Sequence, residues 1–233
     1  MIKSWAFEFM FASPELEANF DPKKSIDYFN FYLDLWVRAE EQGYHGVLLS
    51  EHHFGGGYTP SPNLMLPLIA KRTKHMRVGV MGNVLPYHTP WRLAEEFGML
   101  DNLCEGRLEI GMSAGIPAEF RSVGMAPADA RGRFNEAVEI IDAALKNGVI
   151  NHKGQYFNFE NLHVDHDFRA RLVVDLDDLL DAELLDLGVL DRGGVLGRDD
   201  DIRHAGRLAV DILDRHLRFR VRPQPGKPAI TAQ

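Results

Sequence analysis

Residues 76–112 read MRVGVMGNVLPYHTPWRLAEEFGMLDNLCEGRLEIGM and contain two apolar segments separated by an amphipathic one. Residues 76–85 and 107–112 are predicted as strands, because each is a short apolar run. Residues 91–103 are predicted as a helix, and Pro90 stands at its start, where a missing N–H costs no hydrogen bond. The stretch therefore predicts a strand, a helix and a second strand, the unit from which parallel sheets are built.

The same alternation continues on both sides of this unit. Residues 5–11 alternate large apolar side chains, and residues 45–50 form a continuous apolar run typical of a strand buried on both faces. Upstream helices are predicted over residues 25–42, ended by Gly43, and over residues 64–73, started or kinked by Pro67. Downstream, a helix is predicted over residues 131–146, and a short strand or hairpin over residues 154–164.

Four alternations of strand and helix with short connections indicate an α/β fold with a parallel sheet. Two architectures satisfy the pattern, an open doubly wound sheet and the first half of a (β/α)8 barrel. The first strand is not followed by the G-x-G-x-x-G pattern of dinucleotide-binding open sheets. In both architectures the chemistry lies at the carboxyl ends of the strands. Here those ends are residues 11–13, 51–53, 82–83 and 113–115.

Composition excludes several functional classes. The chain has 233 residues and a net charge of −8, which argues against strong nucleic-acid binding and against a polybasic membrane patch. It has one cysteine, Cys104, so no internal disulfide framework is expected. No apolar run reaches the about 18–20 residues of a membrane span, and no signal-peptide pattern is expected at the N-terminus. We therefore expect a cytoplasmic protein that does not insert into a membrane.

Glu51-His52-His53-Phe54 follows the buried strand at residues 45–50 and precedes a glycine-rich loop. Imidazole titrates near neutrality, so a histidine at this edge can exchange protons or donate hydrogen bonds to a cofactor. The alternative is that one imidazole packs and the other faces water. Adjacent histidines on an extended segment point in opposite directions and no second ligand cluster is evident, so no metal site is expected.

Three further features have both a functional and a structural interpretation. Gly82-Asn83 either allows close backbone approach to a flat ligand and an unusual peptide geometry, or is a simple bulge. The small residues of the segment 111–120 leave N–H groups free for a ligand, although short glycine loops are common. Cys104 lies late in a predicted helix, away from the strand ends, and is predicted to be a buried, inert thiol.

Taken in order, five segments resemble the bacterial luciferase-like family of flavin-dependent monooxygenases. They are EQGYHGVLLSEHHF (41–54), VLPYHTPWRLAEE (84–96), MLDNLCEGRLEIG (99–111), AGIPAEF (114–120) and RFNEAVEII (133–141). The resemblance runs from about residue 5 to residue 164, and the order and spacing of the segments make it specific.

The resemblance implies a (β/α)8 TIM barrel that binds reduced flavin mononucleotide (FMN) at its C-terminal mouth and reacts it with oxygen. A flavin reductase supplies the reduced flavin in such systems, and an organic small molecule is the other substrate. By the same resemblance His52 is the acid/base beside the flavin and His53 supports it. Met81, Gly82 and Asn83 match the segment whose backbone lies against the isoalloxazine, often through a non-prolyl cis peptide.

Two further positions concern the flavin. Ser113 matches a small or thiol residue near the reactive flavin carbon. Ala114 stands where luciferases carry an arginine that helps to hold the flavin phosphate, a departure that argues against a light emitter more than against flavin. The alternatives are a deazaflavin-dependent oxidoreductase, which shares the barrel, and a non-catalytic flavin-binding remnant. No metal is implied.

The amino-acid composition of the chain changes at residue 165. Residues 165–222 use only ten residue types and contain no Ser, Thr, Asn, Gln, Lys or Pro. The segment is interpreted either as a genuine acidic amphipathic segment or as a stretch that is translated out of frame or derives from an unrelated insertion. We favour the second interpretation, because the composition is extreme for a protein surface. The predicted domains are therefore residues 1–164, an N-terminal half-barrel, and residues 165–233, an atypical tail. An incomplete barrel would leave two unpaired strand edges. We expect the chain to form a homodimer through such an edge, and the alternatives are that it folds poorly or binds no flavin. The chain would then be a truncated or inactive form.

Overall fold

The computed structural model describes residues 3–12, 18–19, 21–54 and 57–164. The predicted tail, residues 165–233, lies outside the described residues. The structure therefore tests neither interpretation of the tail. In the described part of the chain, no helix is both long and apolar enough to cross a lipid bilayer.

Four strands form one parallel sheet in the order β1-β2-β3-β4. They are β1 (Trp5–Glu8), β2 (Gly46–Leu49), β3 (Arg77–Val84) and β4 (Leu108–Ser113). Each strand pairs with the next one in the sequence, whereas a doubly wound sheet reverses its strand order partway. The sequential order is that of a (β/α)8 barrel, of which the described residues form four strands. Within those residues β1 and β4 each pair on one side only, so the barrel is not closed there.

Among the described residues, five α-helices have defined bounds, and four of them begin with a proline. Pro can occupy the first helical position at no cost, because that residue's N–H has no partner inside the helix. The Asp21 carboxylate also accepts the N–H groups of Lys23 and Lys24 and so caps the first helix. The helices are α1 (Pro22–Glu41), α2 (Met65–Arg72), α3 (Pro90–Leu103), α4 (Pro117–Ser122) and α5 (Pro127–Asn147).

Most sequence predictions of these elements are confirmed, with four corrections. The first strand ends at Glu8 rather than at residue 11, because Met10 has a φ of 50° and its N–H bonds to the Glu8 carboxylate. Pro67 lies in the first turn of α2, where no N–H is required, so the helix start expected near this residue is confirmed. Helix α4 was not expected, and α5 begins earlier than predicted, at Pro127.

The fourth correction concerns the end of the described chain. The predicted strand or hairpin over residues 154–164 is a hairpin, but its first strand, β5 (Val149–Lys153), begins before that range. It pairs antiparallel with β6 (Asn158–His163). Gly148, with a φ of 69°, ends α5 and allows the chain to turn directly into β5.

The hydrophobic core lies between the sheet and the helices. Val78 and Val80 of β3 are buried, and α2 contacts β3 while α3 contacts β4. Phe97 of α3 is among the largest side chains that are fully buried, and burial of a side chain of this size stabilises the fold by about 2–3 kcal/mol. Cys104, at the end of α3, is a free thiol, and the prediction that it is buried is confirmed. Burial raises its pKa to about 11, which supports the prediction of an inert thiol.

Two glutamates hold loops by accepting three consecutive backbone N–H groups each. Glu40 accepts those of residues 74–76, and Glu136 accepts those of residues 155–157. Partial burial works to raise the pKa of each carboxyl group, but the hydrogen bonds outweigh it, and both pKa values lie below the ordinary 4.5. Both carboxylates are therefore more acidic in the folded chain than in the unfolded chain.

We expect stability to begin to fall as the pH drops below about 4.5 and to fall further through the lower pKa values of the folded chain, because the unfolded chain then binds more protons than the folded one. Urea unfolding midpoints measured at about pH 7 and about pH 4 test this. The double variant Glu40→Gln/Glu136→Gln should lose less stability between the two pH values than the wild-type protein. The exposed Glu160→Gln variant is the control and should behave as wild type. An equal loss in all three proteins would contradict the assignment.

Candidate active site

A pocket of about 120 Å³ opens at the carboxyl ends of the four parallel strands. Strands β1, β3 and β4 contribute to its lining, and so do the residues that directly follow β2, as expected for a barrel of this class. Four of the seven residues predicted for the site line it, namely His52, Met81, Gly82 and Ser113. The sequence-based placement of the site at this edge of the sheet therefore agrees with the position of the pocket.

His52 is held on three sides. Its Nδ1 lies 3.2 Å from Oε1 of Glu119, a carboxylate on α4 that is itself buried. The rings of Phe9 and Phe11 lie beside the imidazole, with centroids 5.3 and 5.6 Å away. A carboxylate accepts hydrogen bonds, so this contact assigns the donor role to Nδ1. Nε2 is then the ring nitrogen through which His52 can exchange a proton.

The Glu119 carboxylate has a second role. Its Oε1 also accepts the backbone N–H of His53 at 3.1 Å, so one oxygen fixes both the ring of His52 and the chain that carries it. Such support keeps a reacting group in one orientation.

His53 does not line the pocket. Its Nε2 lies 3.1 Å from Oε1 of Glu51, and its ring meets that of Tyr87 edge to face. The two adjacent histidines therefore point to different carboxylates, as expected for neighbours on an extended segment. Among the described residues, no group of three or more His, Cys, Asp and Glu side chains has the arrangement of a metal site.

Glu51 lies at the centre of a buried hydrogen-bond cluster. Its carboxylate accepts the Val84 N–H at 2.8 Å and hydrogen bonds from Nε2 of His53 and His88. Burial acts to raise the pKa of Glu51, but the bonds from His88, Val84 and His53 outweigh it, so the pKa is lowered. The ionised carboxylate ties the end of β2 to the end of β3 and to the loop beyond it.

The peptide bond between Met81 and Gly82 is cis, as the family resemblance implies. The pairing of β3 with β4 also shifts register between Val80 and Asn83, so the predicted bulge is present. A Cβ on Gly82 would lie 2.8 Å from the backbone carbon of Met112. Glycine is therefore required here by the neighbouring strand.

Two predicted residues lie outside the pocket lining. The Asn83 side chain is buried and donates from Nδ2 to the Gly111 carbonyl, so it faces β4. Ala114 does not line the pocket either, while its neighbour Ser113 does, and the Ser113 Oγ accepts the Gly115 N–H. Any part that Asn83 and Ala114 play in binding a cofactor stays a prediction.

Sequence reasoning did not single out three polar residues of the site, Glu119, His88 and Tyr87. Burial, together with the charges of Glu119 and Glu51, raises the pKa of Tyr87 to about 12, so its hydroxyl stays protonated. All three lie beyond the ends of β3 and β4, in the 3₁₀ turn, the loop and the short helix that follow. Extending the strand-end rule a few residues into each following segment would have found them.

The comparisons with known proteins agree with this geometry. A sequence profile described as luciferase-like monooxygenase matches residues 9–171, and the chain belongs to that family. The family comprises enzymes, and its fold is the TIM barrel of which the sheet here is a part.

Individual relatives match over part of their length. The chain is 36% identical over 115 residues to 4-hydroxyprotoasukamycin monooxygenase of Streptomyces nodosus subsp. asukaensis, which is 48% of this chain and 31% of that protein. It resembles the crystal structure of monooxygenase RslO1 from Streptomyces bottropensis with a TM-score of 0.61 and 30% identity, over 68% of this chain and 47% of that one.

A third comparison supports the fold alone. The oxygenating constituent of 3,6-diketocamphane monooxygenase from Pseudomonas putida, solved in complex with FMN, gives a TM-score of 0.61 at 24% identity. The match covers 71% of this chain and 47% of that one. The chain thus spans less than half the length of each of these three proteins.

Proposed function

We propose that the chain provides the catalytic half of a flavin-dependent monooxygenase that uses reduced FMN and molecular oxygen to oxidise an organic small molecule. The observation that carries the proposal is His52 at the pocket, with Nδ1 bonded to Glu119 and Nε2 available, beside the Met81–Gly82 backbone. A flavin reductase as the source of reduced flavin and a cytoplasmic location belong to the same proposal.

The pocket suits the flat part of a flavin better than its phosphate. Phe7, Phe9 and Met81 supply apolar surface, and Gly82 and Gly115 leave backbone uncovered by side chains. Among the described residues that line the pocket there is no lysine or arginine, whereas Glu51 and Glu119 are acidic. A phosphate is therefore expected to lie away from these two carboxylates, at residues other than those that line this pocket.

Bound reduced flavin would supply the two electrons with which one oxygen atom is reduced to water while the other enters the substrate. We assign the proton transfer that accompanies this chemistry to Nε2 of His52. Glu119 is a positioning residue, because it acts through the His52 ring. His53 supports the same segment, and Met81, Gly82 and Ser113 provide the surface against the flavin ring.

Titration of the purified full chain with reduced and oxidised FMN, followed by flavin fluorescence, tests the proposal. We expect saturable binding and oxygen consumption that depends on added reductase. Coenzyme F420, a deazaflavin, is titrated in parallel, since the alternative enzyme class would prefer it. Preference for F420 would overturn the choice of FMN. Binding without oxygen consumption would identify a remnant, and absence of any binding would overturn the proposal.

A further inference from the structure

The backbone of β3 loses its regular strand pairing where it reaches the pocket. Within the described residues, the ladder between β2 and β3 ends at the pair Leu49–Val80. The register of β3 against β4 shifts between Val80 and Asn83. Residues 81–82, which line the pocket, therefore lie beyond the ladder to β2 and inside the irregular part of the ladder to β4. Strand pairing alone does not fix their position.

Side-chain hydrogen bonds hold this segment on both sides instead. On the β4 side, Nδ2 of Asn83 donates to the Gly111 carbonyl at 3.1 Å. On the β2 side, the backbone N–H of Val84 donates to Oε2 of Glu51 at 2.8 Å. The Glu51 carboxylate thus replaces the ladder at the point where the pairing of β2 with β3 ends.

Two histidines hold the Glu51 carboxylate in place. Nε2 of His88 lies 3.0 and 3.1 Å from its two oxygens, and Nε2 of His53 lies 3.1 Å from Oε1. The Glu51 side chain is 1% exposed, so its charge would be costly to bury without these donors. Neither histidine is among the residues that line the pocket. A change in His88 can therefore affect a ligand in the pocket only through other residues.

We propose that Glu51, His53 and His88, here called the Glu51 cluster, position the backbone of residues 81–84 for flavin binding, with His88 as a positioning residue. This inference rests on the proposed flavin-dependent function, because it assigns further residues to the same site. The contacts run from His88 to Glu51, from Glu51 to the Val84 N–H, and from there along the backbone to the pocket lining. Loss of His88 should therefore loosen this segment while the four strands stay paired.

The test compares His88→Ala with His88→Gln in the full chain by titration with reduced and oxidised FMN. We expect His88→Ala to weaken FMN binding about tenfold, because the backbone that faces the ligand is no longer held in one position. His88→Gln should recover most of the affinity, since its side-chain N–H can still donate to Glu51. Oxygen turnover at saturating FMN should fall less than the affinity for FMN.

His152→Ala is the matched control. Nε2 of His152 lies 3.3 Å from Oε2 of Glu136, and neither residue lines the pocket. The control thus also removes a contact between an imidazole and a carboxylate. Both alanine variants should lower the urea unfolding midpoint, whereas only His88→Ala should weaken FMN binding. If His88→Ala does not fold, His88→Asn replaces it, because its amide ends where Nδ1 lies and does not reach Glu51.

Amide hydrogen exchange of the flavin-free chain supplies a second measurement. The Val84 N–H should exchange at least about tenfold faster in His88→Ala than in wild type, and at the wild-type rate in His152→Ala. An unchanged rate in His88→Ala would overturn the inference, because the contact through Glu51 would then not depend on His88.

The FMN titrations can overturn the inference in two further ways. One is an equal affinity of wild type and His88→Ala, and the other is an equal loss in His88→Ala and in either His88→Gln or His152→Ala. Failure of the wild-type chain to bind FMN would overturn the proposed function together with this inference. Binding by wild type with unchanged affinity in His88→Ala would overturn this inference alone.

Discussion

Replacing His52 with alanine should lower reductase-dependent oxygen turnover by about 100-fold or more, the usual contribution of a general acid or base. The physical reason is the loss of Nε2, the ring atom that Glu119 leaves free to exchange a proton. Turnover and FMN affinity are measured separately. We expect the affinity for FMN to change much less than turnover, because His52 is one of several residues that line the pocket.

His52→Asn is the matched variant. Its amide N–H can replace the Nδ1–H bond to Glu119, but it places no basic atom where Nε2 was. It should therefore retain the fold and flavin binding while losing turnover as fully as the alanine variant. His75→Ala, an exchange outside the pocket lining, serves as the control. If turnover and flavin affinity fall by the same factor in His52→Asn, the assignment of His52 as the acid/base is wrong.

Replacing Glu51 with glutamine should lower the free energy of unfolding by about 3 kcal/mol, because the side chain is buried and its charge accepts three hydrogen bonds. An amide is neutral and turns an N–H group toward one of the donors. Denaturant unfolding at neutral pH measures the loss. Glu105→Gln is the control, since the Glu105 side chain is 63% exposed against Lys71, and its midpoint should stay close to wild type.

A double-variant cycle separates the cluster from general packing. If His88 and Glu51 interact as the geometry indicates, the losses of Glu51→Gln and His88→Ala should sum to more than the loss of the double variant. Strict additivity would show that the two residues stabilise the fold independently. It would also show that the Glu51 carboxylate does not couple the end of β2 to the end of β3 energetically.

The elements that the sequence predicts well are those in which short-range periodicity decides the structure. The continuous apolar run of β2 and the helices α1, α3 and α5 were identified within a few residues. The placement of the site at the strand ends also followed, since every parallel α/β sheet places it there.

The site features that the sequence did not predict depend on contacts between distant parts of the chain. His52 and Glu119 are 67 positions apart, and no local pattern reports their pairing. The orientation of Asn83 is another example. The shift in register between Val80 and Asn83 breaks the alternation of side chains along β3, so counting from the start of the strand does not predict that Asn83 faces β4.

The order β1-β2-β3-β4 has a consequence for how the chain acquires its structure during synthesis. Each strand pairs with the one made just before it, so each new segment can dock as soon as it leaves the ribosome, without waiting for a distant partner. The growing sheet always presents its most recent strand as the docking edge. Strand addition in this order keeps every loop closure short, although the contacts that complete His52 form only after α4 has been made.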